Sequence, residues 1–370
     1  MDKDFYWLWL CNIKGIGNST IRSLLKEFGT PEGIYKANES ELEHAFNNMN
    51  IKTKIKKEDI VEWIKNSKNN DTIRILEDKL NKKKIRFISI DNVCYPEKLK
   101  GIKEYPYGIY LKGRKCDFNR PSVAIVGARN CTVYGRKVSH DLSFELAANG
   151  VDIISGMARG IDCEGHSGAI DAGGVTYAVM GCGADICYPR ENIELYEKIT
   201  YYGAIISEYP MGTEPIGWQF PLRNRIISGL ADKIVVVEAK EKSGSLITVE
   251  YGLEQGKDIY AVPGRLDDVL SRGCNRLIEE GAGIVLSVHE ILKELGIRQS
   301  YKSEKCKNKN MVLEKDLETL YSYLDFLPKN VQSLIIETGR DSVEILRDLV
   351  KLQMMGLIEE PSKNYYSKKI

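Results

Sequence analysis

The sequence predicts an α/β protein in which helices cover both faces of a mostly parallel sheet, with a helical unit before the sheet and a smaller unit after it. Three observations carry this prediction. Short apolar segments alternate with helical periodicity between residues 121 and 295, and many of these segments end in glycine or serine. Helical periodicity fills the region before residue 85. Three helical stripes followed by a hairpin pattern occupy the region after residue 311.

Length and composition set the broad class of the protein. The chain has 370 residues, 43% hydrophobic and 28% charged, which favours a globular protein with two or three domains. The net charge of +1 argues against a histone-like binder but leaves room for a local basic groove. The apolar runs are too short to cross a membrane, and nine scattered cysteines without a CxxC pair favour reduced thiols. We therefore expect a cytoplasmic protein without membrane attachment.

Residues 1–84 are expected to be helical. Apolar residues between Ile21 and Phe28 follow helical spacing after a Gly-Ile-Gly turn at residues 15–17. Such a turn either holds a DNA phosphate, as in a helix-hairpin-helix, or is only a tight connection between helices. Residues 51–86 contain 12 Lys or Arg against 6 Asp or Glu, which fits either a solvated helical face or a nucleic-acid contact surface.

The region from residue 85 to residue 297 carries the strand and helix alternation. Its predicted strands are short apolar runs at residues 85–90, 106–111, 123–126, 151–154, 175–180, 204–206, 233–237, 259–262 and 284–286. Continuous apolar runs of this kind indicate strands that are buried on both faces, as in a parallel sheet. Right-handed crossovers then give a Rossmann-like sheet with a crevice at the carboxyl ends of its strands.

The last part of the chain is expected to be a separate small unit. Residues 298–311 are polar and basic, which is typical of a linker. Residues 312–370 combine three helical stripes with a hairpin candidate, the pattern of a winged helix. The third stripe carries residues of both signs on the face expected to be exposed: Glu344, Arg347, Asp348 and Lys351. This mixture favours a protein-contact role over direct reading of a duplex.

Glycine-rich segments follow several predicted strands and are expected to meet at one edge of the sheet: residues 127–129, 155–160, 181–183 and 243–245. Glycine lets a ligand approach the backbone closely, and a helix N-terminus beyond it favours negative charge. Arg129 adds a forked cation that suits phosphate oxygens. The crevice is therefore predicted to bind an anion.

Nucleotide cofactors are poorly supported as this anion. The dinucleotide fingerprint GxGxxG needs a third glycine, which the segment at residues 181–186 lacks. A Walker A loop needs four residues before its Gly-Lys-Ser/Thr end, but the segment at residues 252–258 has three and ends in aspartate. We therefore expect neither a cofactor nor hydrolysis of a nucleoside triphosphate.

A sharper signal lies near the start of a later predicted helix, where Phe220 is followed by Arg223, Asn224 and Arg225. Arginines suit a phosphate backbone, and an aromatic ring suits a stacked base. The alternative is that Phe220 fills the core and that the arginines pair with carboxylates such as Glu238.

Signals for catalysis are weak. His166 follows an aspartate and a glutamate, but no second histidine is near in sequence, since His140 lies on the preceding helix. A metal site would need more ligands, so His166 is interpreted as a structural residue. We predict neither catalytic residues nor a metal site.

Together these motifs resemble the DprA/Smf family of bacterial DNA-processing proteins. The resemblance begins with VAIVGAR at residues 123–129 and includes SGMARGID at residues 155–162 and FPLRNR at residues 220–225. Further matching segments lie at residues 134–135, 163–166, 181–185, 188–189, 207–208, 243–248, 261–264 and 275–278. It covers residues 85–295 strongly and both ends of the chain more loosely.

The resemblance implies a SAM-like domain at residues 1–84, an extended Rossmann domain at residues 85–297, a linker at residues 298–311 and a winged helix at residues 312–370. It implies a homodimer that binds single-stranded DNA without sequence preference and loads the RecA recombinase onto it in natural transformation. A single-strand-binding protein is a further candidate partner. The residues expected to contact DNA are Gly127, Ala128, Arg129, Tyr134, Arg136, Gly156, Arg159, Phe220, Arg223, Asn224, Arg225, Ser243, Gly244 and Ser245.

Two points stay open. Many family members carry a basic residue after the histidine, where this chain has Ser167, so a contact is lost there or Arg159 or Lys137 replaces it. An enzymatic alternative is a nucleotide phosphoribohydrolase, which cleaves the N-glycosidic bond of a nucleoside monophosphate. Such enzymes pair a glycine-rich loop with Thr and Glu, and residues 243–250 imitate this arrangement in part, with Glu250 as the carboxylate.

Overall fold

The computed structural model describes residues 3–48, 56–114, 116–298 and 314–368. The described residues before the first strand form six helices: Lys3–Cys11 (α1), Asn18–Phe28 (α2), Pro31–Lys36 (α3), Glu39–Asn48 (α4), Lys57–Ser67 (α5) and Asn70–Lys82 (α6). The predicted apolar stripe lies on α2, where Ile21 and Leu24 are buried and Gly29 ends the helix with φ +74°. Residues 51–55 of the basic run and residues 299–311 of the predicted linker lie outside the described residues.

A large sheet occupies the middle of the chain. Its strands are Ile85–Ser89 (β1), Gly108–Gly113 (β2), Ser122–Val126 (β3), Asp152–Ser155 (β4), Thr176–Val179 (β5), Ala204–Ser207 (β6), Lys233–Val236 (β7), Asp258–Ala261 (β8) and Gly283–Ile284 (β9). The helices between the strands and directly after β9 are Glu97–Lys100 (α7), Val133–Ala148 (α8), Ile161–Asp171 (α9), Ile193–Tyr202 (α10), Gln219–Leu230 (α11), Leu246–Glu254 (α12), Arg272–Glu279 (α13) and Val288–Glu294 (α14). The last strand ends before residue 286, contrary to expectation, because Ser287 already caps α14.

The strand order is β1-β2-β6-β5-β4-β3-β7-β8-β9. Strands β3 to β9 are parallel to one another, whereas β2 is antiparallel to both β1 and β6. The prediction of a mostly parallel, Rossmann-like sheet is therefore confirmed. The order reverses between β3 and β7, and in open parallel sheets the crevice lies at this reversal, beyond the carboxyl ends of the strands.

Alternate residues of β3 face two separate apolar cores, because side chains along a strand point to opposite faces. Val123 and Ile125 belong to the core that includes residues of α8, α9 and α14. Ala124 and Val126 belong to the core that includes residues of α11, α12 and α13. The whole strand is buried, so the sheet is covered by helices on both faces and β3 is held rigidly beneath the crevice.

The amino-terminal helices pack against the β1 side of this sheet. The Trp7 ring stacks on Tyr107 with centroids 5.3 Å apart, and its Nε1 donates a 2.8 Å hydrogen bond to Asp91. Residues of these helices share one apolar core with Ile205 of β6. The division of the chain at residue 84 stays a prediction.

The carboxyl-terminal residues form three helices and a small antiparallel sheet. The helices are Lys315–Tyr323 (α15), Val331–Thr338 (α16) and Ser342–Met354 (α17), and the strands are Lys329–Asn330 (β10), Ile358–Ser362 (β11) and Tyr365–Lys368 (β12). The expectation that Asp348 is exposed on α17 is wrong, because it is buried and accepts a 2.6 Å hydrogen bond from Arg340. The assignment of this unit as a winged helix stays a prediction. Across the described ranges, no helix has the length and apolar character needed to span a membrane.

Candidate nucleic-acid interface

A cavity of about 410 Å³ lies at the strand-order reversal, between the loops that follow β3 and β7. These loops diverge because α8 and α12 leave the sheet in opposite directions, which opens the space between them. Its lining includes Gly127, Arg129, Ala158, Asp162, Phe220, Arg223, Asn224, Lys242, Ser243, Gly244, Ser245 and Thr248.

A smaller hollow of about 110 Å³ adjoins this cavity and shares Arg129, Ala158, Phe220 and Arg223 with it. It extends the lining to Gly156, Arg159, Tyr188 and Pro189. We call the two together the rim groove. Because it is longer than either hollow alone, it is open to a chain of phosphates and bases as well as to a single nucleotide.

Ten of the fourteen residues expected to contact DNA line the rim groove. The other four do not. Tyr134 and Arg136 are exposed on α8, Ala128 is buried, and Arg225 is buried and borders a different cavity. The geometry therefore brings the glycine-rich loops together with Phe220 and separates them from the end of the FPLRNR segment.

Arg129 contributes an exposed positive charge to the lining of the groove. It is exposed, and the ion pairs found within the described ranges include neither Arg129 nor Lys242, which lines the same cavity. The backbone beneath it packs on Gly160, which has φ +73° and opens α9. A Cβ there would lie 2.5 Å from the carbonyl oxygens of Ala128 and Arg129, so this position requires glycine. The arginine is thus carried by a fixed backbone but keeps a free guanidinium.

Arg223 is a different kind of cation because it is built into the floor. It is 4% exposed, and its Nη1 donates a 2.7 Å hydrogen bond to the Gly156 carbonyl and another to the Val179 carbonyl. A Cβ on Gly156 would lie 2.6 Å from this guanidinium, so glycine is needed for the approach. Burial lowers the pKa of Arg223 to about 10, which still leaves it charged near neutral pH.

Asp162 lies beside this floor cation. Its carboxylate accepts hydrogen bonds from the backbone amides of Gly156 at 3.1 Å and Ala158 at 3.3 Å. Burial raises the pKa of Asp162 to about 6, while the nearby Arg223 opposes that rise. At neutral pH the two charges largely offset each other, so the uncompensated positive charge of the groove comes from Arg129 and Lys242.

Aromatic rings form one wall. The Phe220 and Tyr188 rings lie with centroids 5.3 Å apart and planes tilted by 34°. Phe220 is half-buried over Gly181, whereas Tyr188 is 44% exposed. An aromatic pair that is partly open to solvent beside free cations is an arrangement that can stack bases.

The loops themselves are tied together. Asn224 donates from Nδ2 to the Gly244 carbonyl over 3.3 Å, which links α11 to the loop before α12. The hydroxyls of Ser243 and Ser245 lie 2.8 Å apart within that loop. On the opposite side, Arg159 forms a two-point ion pair with Glu191. Arg159 can therefore hold a phosphate only after it leaves this carboxylate.

Arg225 is paired with a carboxylate, as the alternative interpretation of residues 220–225 predicts. Its partner is Glu208, at 2.6 Å between Nη2 and Oε2, and its Nε also donates to the Glu104 carbonyl. Glu238, the partner suggested by the sequence, instead accepts a 2.9 Å hydrogen bond from the Thr132 amide. Arg225 is thus occupied within the fold.

His166 is fully buried and lies 2.6 Å from the Thr176 hydroxyl through Nδ1. Burial lowers the pKa of His166 to about 3, so the ring is neutral. This environment fits a structural role. Among the described residues, no group of three His, Cys, Asp or Glu is placed to hold a metal ion.

Several groove residues were not singled out from the sequence. Lys242 directly precedes the Ser243 loop, and this position beside a glycine-rich segment is the sequence signal that could have identified it as a groove residue. Asp162 and Tyr188 lie within segments used for the family resemblance, but their place in the lining depends on the packing of α9 and on the turn before α10.

Residues 86–296 match the family model described as DNA recombination-mediator protein A. Protein Smf of Synechocystis is 36% identical over 299 residues, covering 79% of this chain and 72% of that protein. The DNA processing protein DprA of Streptococcus pneumoniae is 43% identical over 206 residues, covering 56% and 73% of the two chains.

Solved structures give the same grouping. The Streptococcus pneumoniae DNA processing protein A has a TM-score of 0.64 and 33% identity, covering 80% of this chain and 98% of that one. The Helicobacter pylori protein, whose structure concerns its single-stranded DNA binding mode, has a TM-score of 0.52 and 30% identity, covering 57% and 95%. The family indicated by the sequence motifs is confirmed: this chain belongs to the DNA recombination-mediator protein A family.

Proposed function

We propose that this protein binds single-stranded DNA along the rim groove without reading its sequence. The observation that carries the proposal is the pair of exposed cations, Arg129 and Lys242, that line the same groove as the buried Arg223. Phosphate contacts of this kind supply affinity and position without base specificity. The Phe220 and Tyr188 rings add stacking, which tolerates every base.

The site residues proposed to carry this binding are the ten predicted residues that line the groove, together with Lys242 and Tyr188. Arg129 and Lys242 are assigned to phosphates, Phe220 and Tyr188 to bases, and the glycine loops to close backbone approach. Tyr134, Arg136 and Ala128 are assigned no direct contact. Arg225 is assigned to the support of the fold.

Membership of the mediator family supports a role in DNA processing and recombination. We infer that the bound strand is handed to a RecA recombinase, and that the protein acts as a homodimer in the cytoplasm during natural transformation. A single-strand-binding protein is a further proposed partner, as the protein that such a mediator would displace. These finer assignments rest on family membership and on no contact within this chain.

A nucleotide phosphoribohydrolase is the weaker second candidate. Thr248 lines the rim groove, as that alternative expects, but Glu250 is exposed on α12 and is not part of the lining. The carboxylate on which this alternative depends thus lies outside the cavity lining. We therefore propose a binding function without catalysis.

The test is a length series. The full chain is titrated with oligothymidylates of increasing length and, in parallel, with adenosine monophosphate. We expect affinity to rise with length until the groove is filled and no free base to form from the nucleotide. Tight binding of the mononucleotide with release of adenine, abolished by Glu250→Gln, would instead establish the enzyme.

A further inference from the structure

A second cavity, of about 600 Å³, lies at the opposite end of β6 from the rim groove. Its lining consists of Lys84, Lys112, Gly113, Arg114, Glu197, Thr200 and Tyr201, and we call it the basic hollow. Ala204 of β6 pairs with Gly113 at this end, whereas Ser207 at the other end bonds the Cys182 carbonyl beside the rim groove. At 3.3 Å per residue the two sites are roughly 10 Å apart or more.

The charge of the hollow is strongly one-sided. Three cations line it against one carboxylate, although the net charge of the chain is only +1. Lys112 lies 3.9 Å from Glu197 and 4.6 Å from the centre of the Tyr196 ring. Lys84 and Arg114 are both exposed and take no part in the ion pairs of the described ranges. Two cations are therefore free to meet an anion.

The backbone holds these cations at one place. Ile85 pairs with Lys112 across β1 and β2, so Lys84 and Lys112 lie on neighbouring strands. The Arg114 amide donates to the Gly203 carbonyl at 2.9 Å, and its own carbonyl accepts a 2.7 Å hydrogen bond from Arg86. Lys84 has φ +56°, a left-handed conformation that is uncommon for a residue with a Cβ.

An aromatic side chain completes the hollow. Tyr201 is 72% exposed, and its ring lies edge-on to Tyr202 with centroids 5.2 Å apart. Single-stranded nucleic acids are bound by aromatic side chains that stack bases beside cations that follow the backbone. An acidic protein surface would also pair with the cations, but it would depend less on the exposed Tyr201 ring.

We propose that the basic hollow binds a second segment of single-stranded nucleic acid, with Lys84 and Arg114 on phosphates and Tyr201 against a base. This gives a function to the end of the basic run noted at residues 51–86. It goes beyond the function proposed for the rim groove and does not depend on it, since none of the groove residues lines the hollow. Binding at both sites would hold a strand at two points, one near each end of β6.

The experiment measures the binding of a fluorescent oligothymidylate of about 30 nucleotides to the full chain at low salt. The variants are Lys84→Glu/Arg114→Glu, Tyr201→Ala and Arg129→Gln. Lys26→Glu/Lys363→Glu serves as the matched control, because it makes the same change in charge on exposed residues outside both cavities. Circular dichroism and the melting temperature show whether each variant is folded.

We expect the hollow variant to weaken binding about tenfold or more, the control to weaken it much less, and Tyr201→Ala to weaken it measurably at unchanged charge. Equal effects of the hollow variant and the control, or no effect of Tyr201→Ala, would overturn the proposal in favour of general attraction or protein docking. If Arg129→Gln leaves binding unchanged while Lys84→Glu/Arg114→Glu abolishes it, the rim groove is not a DNA site and the basic hollow is. Effects of the two sites that multiply in the combined variant Lys84→Glu/Arg114→Glu/Arg129→Gln would support independent segments.

Discussion

Arg225 and Glu208 form a buried ion pair, with 2.6 Å between Nη2 and Oε2 and both side chains nearly inaccessible to solvent. The arginine belongs to the segment whose sequence most strongly indicated DNA contact. In the folded chain it joins α11 to the residue that follows β6 and to the Glu104 carbonyl. The FPLRNR segment therefore combines residues that line the groove with residues that build the wall behind it.

Replacement of Arg225 tests this structural assignment. Arg225→Ala would leave Glu208 buried without its partner, which typically costs about 3–5 kcal/mol of unfolding free energy. Urea denaturation of the full chain measures that loss, and Arg225→Ala/Glu208→Gln should recover part of it. A variant with wild-type stability but impaired DNA binding would instead indicate that Arg225 contacts DNA.

Protonation of Asp162 should tighten DNA binding. Its pKa is raised to about 6 by burial, so the carboxyl becomes neutral as the pH falls through 6 and leaves the charge of Arg223 uncompensated. We expect affinity to rise about fivefold between pH 7.5 and 5.5, equivalent to roughly 1 kcal/mol. Asp162→Asn should remove this rise, since the amide oxygen can still accept from the Gly156 amide.

The control for that titration is Asp152→Asn. Burial also raises the pKa of Asp152 to about 6, but Asp152 begins β4 and lies away from the groove. For both carboxyls the raised pKa makes a stability contribution that is present below the ordinary aspartate pKa and lost as the pH rises through about 6. An affinity rise that persists in Asp162→Asn would contradict the assignment.

Removal of the Phe220 ring from the aromatic wall should remove base stacking. Phe220→Ala should weaken single-strand binding by about 1–3 kcal/mol, with a smaller dependence on salt than a charge variant. Trp218→Ala is the matched control, because Trp218 is exposed and two residues away in sequence but does not line the groove. Equal losses for the two variants, measured by fluorescence anisotropy, would exclude Phe220 as a specific platform.

Much of the architecture could be predicted because it depends on local patterns. The continuous apolar run ending in Gly127 marks a buried strand, and the repetition of that pattern gives the parallel sheet and the edge where its loops meet. The roles of Arg223 and Arg225 could not be predicted in the same way. Each depends on a partner from a distant part of the chain, the Gly156 carbonyl and Glu208, whose approach is set by tertiary packing.

Tertiary packing also explains why the predicted exposure of Asp348 is wrong. Its position on α17 fits an exposed helical face, but Arg340 lies against it and both become part of the packed unit. Glu238 was a reasonable partner for an arginine by sequence, yet it faces the start of α8 instead. Residue type and spacing therefore located the groove but did not separate its free charges from its paired ones.

The salt dependence of single-strand binding by Arg129→Gln shows whether Arg129 of the rim groove contacts a DNA phosphate. Each phosphate contact to a single strand contributes about 0.7 to the slope of log affinity against log salt concentration. For Arg129→Gln we expect a slope smaller by about 0.7 than that of the wild type, with an unchanged melting temperature, because Arg129 is exposed and unpaired within the described ranges. An unchanged slope and affinity in a folded variant would contradict the assignment of the rim groove as the DNA site.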